Sequence, residues 1–430
     1  MKAIVKPSSL SGEIAAVTSK SHLHRLMICA ALGNRDVSVA CSTISNDISA
    51  TASCLNAMGA HVTIDRGEKN AVIHISPIRT VNSSGILDCG ESGSTYRFFV
   101  PTALAAGCSP EFHLSGRLPV RPMDELWQVL EKHGITVNGK GTSVVSLSGH
   151  LTPGKYEIAG NISSQFITGL LFALPLLDED SEIILTTSAD SVGYIQMTLD
   201  ALKAFSVSVT PTERGYIIPG NQHYLTPDSL ISEGDWSNSA FWLCAAAAGG
   251  SEITVDGLIS ASSQGDKAIC DILRSFGAEL KMTDRSVTVC AGARLKGIEI
   301  DAKDIPDLVP AIAVAAAAAD GKTVIKNIGR LRLKESDRVA SVCGTLNALG
   351  GNACAEEDAI VITGTPLIGG IVDSCTDHRI TMLSAALSVM CSSDITITGA
   401  EASRKSYPGF FDDLSALGGN VILDSEEEKI

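Results

Sequence analysis

Residues 47–59, DISATASCLNAMG, decide how this chain is to be read. Their apolar positions recur at helical spacing, and the run stops on Gly59, where a residue able to turn left-handed ends a helix. The same ending, Leu-x-x-x-Gly, returns at Leu130/Gly134, Leu273/Gly277, Leu346/Gly350 and Leu414/Gly418. Leu202/Ser206 is a sixth copy that lacks the glycine. Successive leucines stand 75, 72, 71, 73 and 68 residues apart. A period this regular marks a repeated supersecondary unit.

Around the first copy, residues 23–32 (LHRLMICAAL) read as an apolar helix ended by Gly33-Asn34. A short strand follows at Val37–Val39, then the helix 47–58. His61–Asp65 and Ala71–Ser76 then alternate as a hairpin around Arg66-Gly67-Glu68. The other copies repeat the order, with apolar helices near 95–106, 164–177, 238–248, 308–319 and 379–390. Strands are expected after them at Glu111–Leu114, Glu182–Leu185, Glu252–Val255, Thr323–Lys326 and Asp394–Thr398. Helices apolar nearly all round must be buried. The expected fold is therefore α/β, with helices inside and sheets outside. Three units in each of two similar domains place the boundary near the polar stretch 219–234.

Composition narrows the function. A chain of 430 residues is too long for one ordinary core, which favours two domains. A net charge of −15 argues against nucleic acid or an acidic membrane as partner. The twelve cysteines form no CxxC pair and no Cys/His cluster with metal spacing, so no metal site is expected. They read as buried thiols of a reducing compartment. Met1–Pro7 has no apolar signal core, and the longest apolar runs, 239–250 and 308–319, are too short to cross a bilayer. A cytoplasmic protein is expected.

The polar residues gather at helix starts. First helices begin with SKSHLHR (19–25), ESGSTYR (91–97), SSQ (163–165), EGDWSNS (233–239), DIPD (304–307) and TDHR (376–379). Second helices begin with ND (46–47), RPMDE (121–125), ADSVGY (189–194), SSQGDK (262–267), LKESDR (333–338) and RKSYPG (404–409). Capping accounts for Asp47, Asp235, Ser237 and Asp266. It does not account for Lys20, Arg25, Arg97, Arg121, Lys334, Arg338, Arg379 and Lys405, since cations are disfavoured at the positive end of a helix dipole. Helix N-termini joined by Lys and Arg make an anion trap, and eight cations suit two polyanionic small molecules. Asp307, Glu335 and Asp377 lie in that field as candidate bases, and His378 as a lining residue, whereas His22 reads as structural. No phosphate-binding G-x-x-x-x-G-K-[ST] loop, GxSxG or HExxH is present.

In order along the chain, these residues resemble the 3-phosphoshikimate 1-carboxyvinyltransferase family of enolpyruvyl transferases. The resemblance rests on Ser19-Lys20-Ser21-x-x-x-Arg25, Gly90–Arg97, Arg117-Leu118-Pro119-Val120-Arg121-Pro122, Ser163-Ser164-Gln165 and Glu233-Gly234-Asp235. It continues through Gln264-Gly265-Asp266, Ile305-Pro306-Asp307, Leu333–Arg338, Asp377-His378-Arg379 and Arg404–Pro408. It implies an inside-out α/β barrel in each of two domains, each of three βαβαββ units. One domain would be 1–17 plus 233–430 and the other 18–232, closing over an active site between them. The implied reaction moves the enolpyruvyl group of phosphoenolpyruvate to the 5-hydroxyl of 3-phosphoshikimate and releases phosphate. It needs no cofactor, and the resemblance implies a monomer.

By the same resemblance, Asp307 and Glu335 form the acid/base pair with Lys20 assisting. Asp307 would meet the shikimate 5-hydroxyl and Glu335 the methylene carbon. Phosphoenolpyruvate would be held by Lys20, Gly93, Arg121, Gln165, Arg338, Arg379 and Lys405. 3-Phosphoshikimate would be held by Lys20, Ser21, Arg25, Ser163, Ser164, Gln165, Ser191, Asp307 and Lys334, with Tyr194 beneath its ring. Thr18, Glu91, Phe98 and Arg330 depart from the family pattern and leave substrate affinity and the response to glyphosate open. Two alternatives stand beside this reading. The sister transferases acting on UDP-N-acetylglucosamine carry a reactive cysteine before an Arg-Pro pair, which 115–122 (SGRLPVRP) lacks. A non-catalytic binding relative would be expected to have lost Asp307, Glu335 or Lys20, and all three are present.

Overall fold

In five of the six endings the leucine does two jobs. Leu55, Leu202, Leu273, Leu346 and Leu414 are all buried in the core. Each also accepts, through its carbonyl, a hydrogen bond from the residue just past the cap, at 2.8 to 3.0 Å. That bond needs the intervening residue in the left-handed region. Gly59 has φ +108°, and Gly134, Gly277, Gly350 and Gly418 turn the same way. Ser206 keeps the geometry without the glycine, at φ +61°. The cap is therefore retained against the strain that a side chain meets there.

The computed structural model describes residues 1–67, 70–292 and 294–424, so the hairpin tip expected at Glu68 lies outside the described residues. The first helices of the six units are α1 (Lys20–Ala31), α3 (Gly93–Ala105), α5 (Ser164–Ala173), α7 (Trp236–Gly249), α9 (Val309–Ala318) and α11 (His378–Ala386). The second helices are α2 (Asn46–Met58), α4 (Asp124–Lys132), α6 (Val192–Ala204), α8 (Ile269–Phe276), α10 (Arg338–Ala348) and α12 (Phe410–Ala416). Nearly every residue of α7, α9 and α11 is buried. Fully burying one large apolar side chain is worth roughly 1.5–3 kcal/mol, against about 1 kcal/mol for a cap. Packing therefore decides that these helices are inside, and the caps decide where they start and stop.

Each unit carries one four-stranded sheet, six in all among the described residues. The strands alternate buried and exposed side chains, as Ala71–Ser76 does, so one face covers helices and the other meets solvent. In the second unit Ile86–Gly90 pairs parallel with Glu111–Leu114, which pairs antiparallel with Val144–Gly149, itself paired to Ile135–Asn138. With the two helices the order is βαβαββ.

Three sheets borrow strands that the repeat alone did not reveal. Leu230–Ile231 pairs parallel with Val37–Cys41 and supplies the leading strand of the first unit. Gly12–Ala15 does the same for the fourth, beside Ile253–Asp256. Lys2–Lys6 lies between Ile395–Thr398 and Asn420–Asp424 in the sixth, with Ala3 and Val5 fully buried.

The chain divides into two compact units, Met1–Val17 with Glu233–Ile430, and Thr18–Ser232. Each has its own hydrophobic core. Among the described residues, no helix is long and apolar enough to cross a membrane.

Candidate active site

In the unit containing 233–430, helix starts bring three cations and three carboxylates together. Asp377 caps α11 and accepts from the Arg379 amide at 2.9 Å. Arg338, the first residue of α10, donates from Nε to Asp377 Oδ2 at 2.8 Å. Its Nη1 reaches Asp307 Oδ1 at 2.7 Å and its Nη2 reaches Glu335 Oε2 at 2.8 Å. Lys334 Nζ donates to Asp307 Oδ1 at 3.2 Å, and Arg379 Nη1 to the Asp307 backbone oxygen at 3.0 Å. One buried guanidinium thus holds both expected acid/base carboxylates.

This pairing governs protonation. Burial alone would raise the Asp307 carboxyl, yet Lys334, Arg379 and Arg338 hold it well below the usual carboxylate range. Burial pushes Lys334 down to about 8, against the pull of Asp307. Burial also opposes the charge on Arg338, but Asp377, Glu335 and Asp307 keep it more firmly protonated than an ordinary arginine. Asp266 lies behind the cluster and bonds Ser237 Oγ. Burial, with repulsion from Asp307, pushes its carboxyl up to about 6.

Several sequence expectations change here. Asp377 is not a spare base: it is fully buried, and its oxygens serve Arg338, the Arg379 amide and Ser336. Asp235 does cap α7, but Ser237 donates to Asp266, and Ser45 rather than Asp47 caps α2. Lys405 closes the 3-10 turn Ala400–Lys405 and so does not begin a helix, although it is buried. His378 is buried with Nδ1 3.7 Å from Asp377 Oδ1. The departure at Arg330 adds a positive charge that helps lower Lys334.

In the unit 18–232 the matching helix starts carry a second cluster. Lys20, the first residue of α1, bonds Asp47 Oδ2 at 2.7 Å. Arg25 is buried and fully engaged. Its Nε donates to Thr198 Oγ1 at 2.9 Å, its Nη1 to the Ser21 carbonyl at 2.5 Å and its Nη2 to the Tyr194 carbonyl at 2.8 Å. The departure Phe98 packs its ring 5.2 Å beneath that guanidinium. Thr18 exchanges backbone-to-hydroxyl bonds with Ser42, both at 2.8 Å, and so fastens the start of α1 to the end of the strand Val37–Cys41.

Arg97 Nη1 donates to Gln165 Oε1 at 2.8 Å, and Gln165 Nε2 donates to Ser94 Oγ at 3.0 Å. Gly93 lies beneath two guanidiniums, since a Cβ there would stand 2.8 Å from Arg121 Nη1 and 3.0 Å from Arg97 Nη1. Ser163 caps α5, and Ser164 follows it as a buried residue. Ser191 precedes α6 at φ +56°, a strained backbone for a serine. Glu91, the remaining departure, packs against Gly116. The sequence suggests a cap at Asp47, whereas its pairing with Lys20 has no local signal in the sequence. Both clusters gather cations at helix starts; Lys20, Lys334, Arg338 and Arg379 pair with carboxylates there, whereas Arg25 and Arg97 are held by hydroxyl, carbonyl and amide oxygens.

The fold is that of the enolpyruvyl transferases. EPSP synthase from Acinetobacter baumannii superposes with a TM-score of 0.79 at 22% identity, covering 98% of this chain and 100% of that one. The enolpyruvyl transferase NikO from Streptomyces tendae gives 0.78 at 15% identity, covering 98% of each chain. At the level of sequence, the family described as EPSP synthase (3-phosphoshikimate 1-carboxyvinyltransferase) matches residues 4–414. The 3-phosphoshikimate 1-carboxyvinyltransferase of Clostridium beijerinckii is 40% identical over 424 residues, 96% of this chain and 97% of that protein. That of Clostridium perfringens is 39% identical over 429 residues, 99% of this chain and 100% of that protein. The chain belongs to the 3-phosphoshikimate 1-carboxyvinyltransferase family.

Proposed function

We propose that this protein transfers the enolpyruvyl group of phosphoenolpyruvate to the 5-hydroxyl of 3-phosphoshikimate, releasing phosphate on the route to chorismate. The observation that carries the reading is the meeting of Asp307 and Glu335 on the Arg338 guanidinium, in a chain matched to the family over nearly its whole length. In the addition step the 5-hydroxyl attacks C2 of phosphoenolpyruvate while a proton reaches its methylene carbon. In the elimination step that carbon gives up a proton and the C2–O bond to phosphate breaks. Proton donors and acceptors in a charge-stabilising site suffice for both.

Asp307 takes the hydroxyl proton and Glu335 serves the methylene carbon. Held among cations, Asp307 is a weak base. Substrate phosphate and carboxylate groups that draw Lys334, Arg379 and Arg338 toward themselves restore basicity to Asp307. Lys20, Gly93, Arg121, Gln165, Arg338, Arg379 and Lys405 hold phosphoenolpyruvate. Lys20, Ser21, Arg25, Ser163, Ser164, Gln165, Ser191, Asp307 and Lys334 hold 3-phosphoshikimate. Lys20 assists the departing phosphate. The protein works as a cytoplasmic monomer without a cofactor, and a net charge of −15 fits small phosphorylated partners better than nucleic acid.

Phosphate release settles the matter. Purified protein is expected to free phosphate from phosphoenolpyruvate only when 3-phosphoshikimate is added. Release with UDP-N-acetylglucosamine in its place would assign the sister reaction. No release with either acceptor would make the chain a binding relative.

A further inference from the structure

His24 and Arg25 are neighbours on α1, yet their buried side chains leave in different directions. Arg25 goes to Thr198 on α6, whose hydroxyl lies 2.9 Å from that of Thr168 on α5. His24 Nδ1 lies 2.7 Å from Thr51 Oγ1 on α2, and Thr51 Oγ1 lies 2.8 Å from Thr95 Oγ1 on α3. Thr95 in turn reaches Ser92 Oγ at 2.7 Å and the Asp47 backbone oxygen at 3.4 Å. His24, Thr51 and Thr95 are fully buried.

The direction of this chain follows from its end. Burial pushes the His24 imidazole down to about 3, so the ring is neutral and carries one N–H. Its Nε2 has no hydrogen-bond partner among the described residues. A buried orphan acceptor is tolerated better than a buried orphan N–H, which places the proton on Nδ1. Nδ1–H then donates to Thr51, Thr51 donates to Thr95, and Thr95 donates to Ser92 or to the Asp47 carbonyl. The chain ends on the cap of α3 and on the first turn of α2. Gly93 is the residue after that cap, and Asp47 is the ion-pair partner of Lys20.

We infer that Thr51 is a positioning residue for phosphoenolpyruvate: its hydroxyl, held between His24 and Thr95, sets the Gly93 turn and the Lys20 ammonium at a fixed spacing. The inference rests on the function proposed above. Thr51 touches no substrate and acts through Thr95, Ser92 and Asp47.

The test is steady-state phosphate release by Thr51→Val, which keeps the shape of the side chain and removes the hydroxyl, beside Thr51→Ser, which restores it. Thr51→Val is expected to raise KM for phosphoenolpyruvate, which meets both Gly93 and Lys20, about tenfold and KM for 3-phosphoshikimate, which meets only Lys20 of the two, by no more than about threefold, and Thr51→Ser to return both. A melting temperature that falls while both KM values hold, or two KM values that rise by the same factor, would reduce Thr51 to a packing residue. Should Thr51→Val not fold, Thr95→Val breaks the same chain from its other side and must give the same selective rise. An unsubstituted protein that releases no phosphate defeats the functional reading. An active protein whose variants keep their KM for phosphoenolpyruvate defeats only this inference.

Discussion

Lys334 bonds Asp307 at 3.2 Å while burial pushes its ammonium down to about 8 from a usual 10.5. Below about pH 8 it carries the charge that a phosphate ligand needs, and above that pH the charge is lost. The specificity constant for 3-phosphoshikimate, kcat/KM, which reports the free enzyme, is therefore expected to fall as pH rises through about 8. Lys334→Arg, which stays charged, should move that fall to higher pH. An inflection left in place would assign it to another group. Unfolding through Lys334 would not mimic the effect. Between the folded and unfolded values the unfolded chain holds more protons, so this group's contribution to stability rises with pH there. None of this was legible locally, because LKESDR announces a charged helix start and says nothing of Asp307. Asp377 carries the same lesson: a lone acidic residue beside His378 and Arg379 reads as a base, and only the approach of Arg338 from the preceding βαβαββ repeat makes it a clamp.

Helices α3 and α5 show a close approach written in two residues. Pro101 inside α3 has no N–H to offer the Arg97 carbonyl, and Gly169 of α5 packs against that gap. A Cβ at Gly169 would lie 2.5 Å from the Arg97 oxygen and 2.8 Å from Pro101 Cγ. Replacing glycine by alanine in a helix interior ordinarily gains up to about 1 kcal/mol. Here overpacking should reverse the sign, and Gly169→Ala is expected to cost roughly 1–3 kcal/mol by denaturant unfolding. A variant as stable as its parent would mean the two helices separate freely. The apolar helices themselves were legible, since their burial is a property of their own composition. The strand Lys2–Lys6 was not. Its alternation is only five residues long, and its partners lie near residues 395 and 420.

Thr18–Ser232 builds all three of its sheets from its own strands and encloses its own core. Expressed alone, residues 18–232 are expected to unfold in one cooperative transition with near-ultraviolet dichroism intact. Residues 233–430 alone lack Lys2–Lys6, the strand between Ile395–Thr398 and Asn420–Asp424, and Gly12–Ala15 beside Ile253–Asp256. That piece is expected to show no cooperative transition until 1–17 is supplied. A cooperative fold without that segment would make the borrowed strands dispensable. By itself the sequence determined the sixfold period, the ends of most helices and the order of the charged motifs. Each helix end and each charged motif depends on residues within a turn or two of one another, and the period is their recurrence along the chain. Only the tertiary structure decided which strand completes which sheet, and that Lys20, Lys334, Arg338 and Arg379 of the expected anion trap are already paired with carboxylates. Strand addition and ion pairing join residues from tens to hundreds of positions apart, and such contacts leave no local mark in the chain.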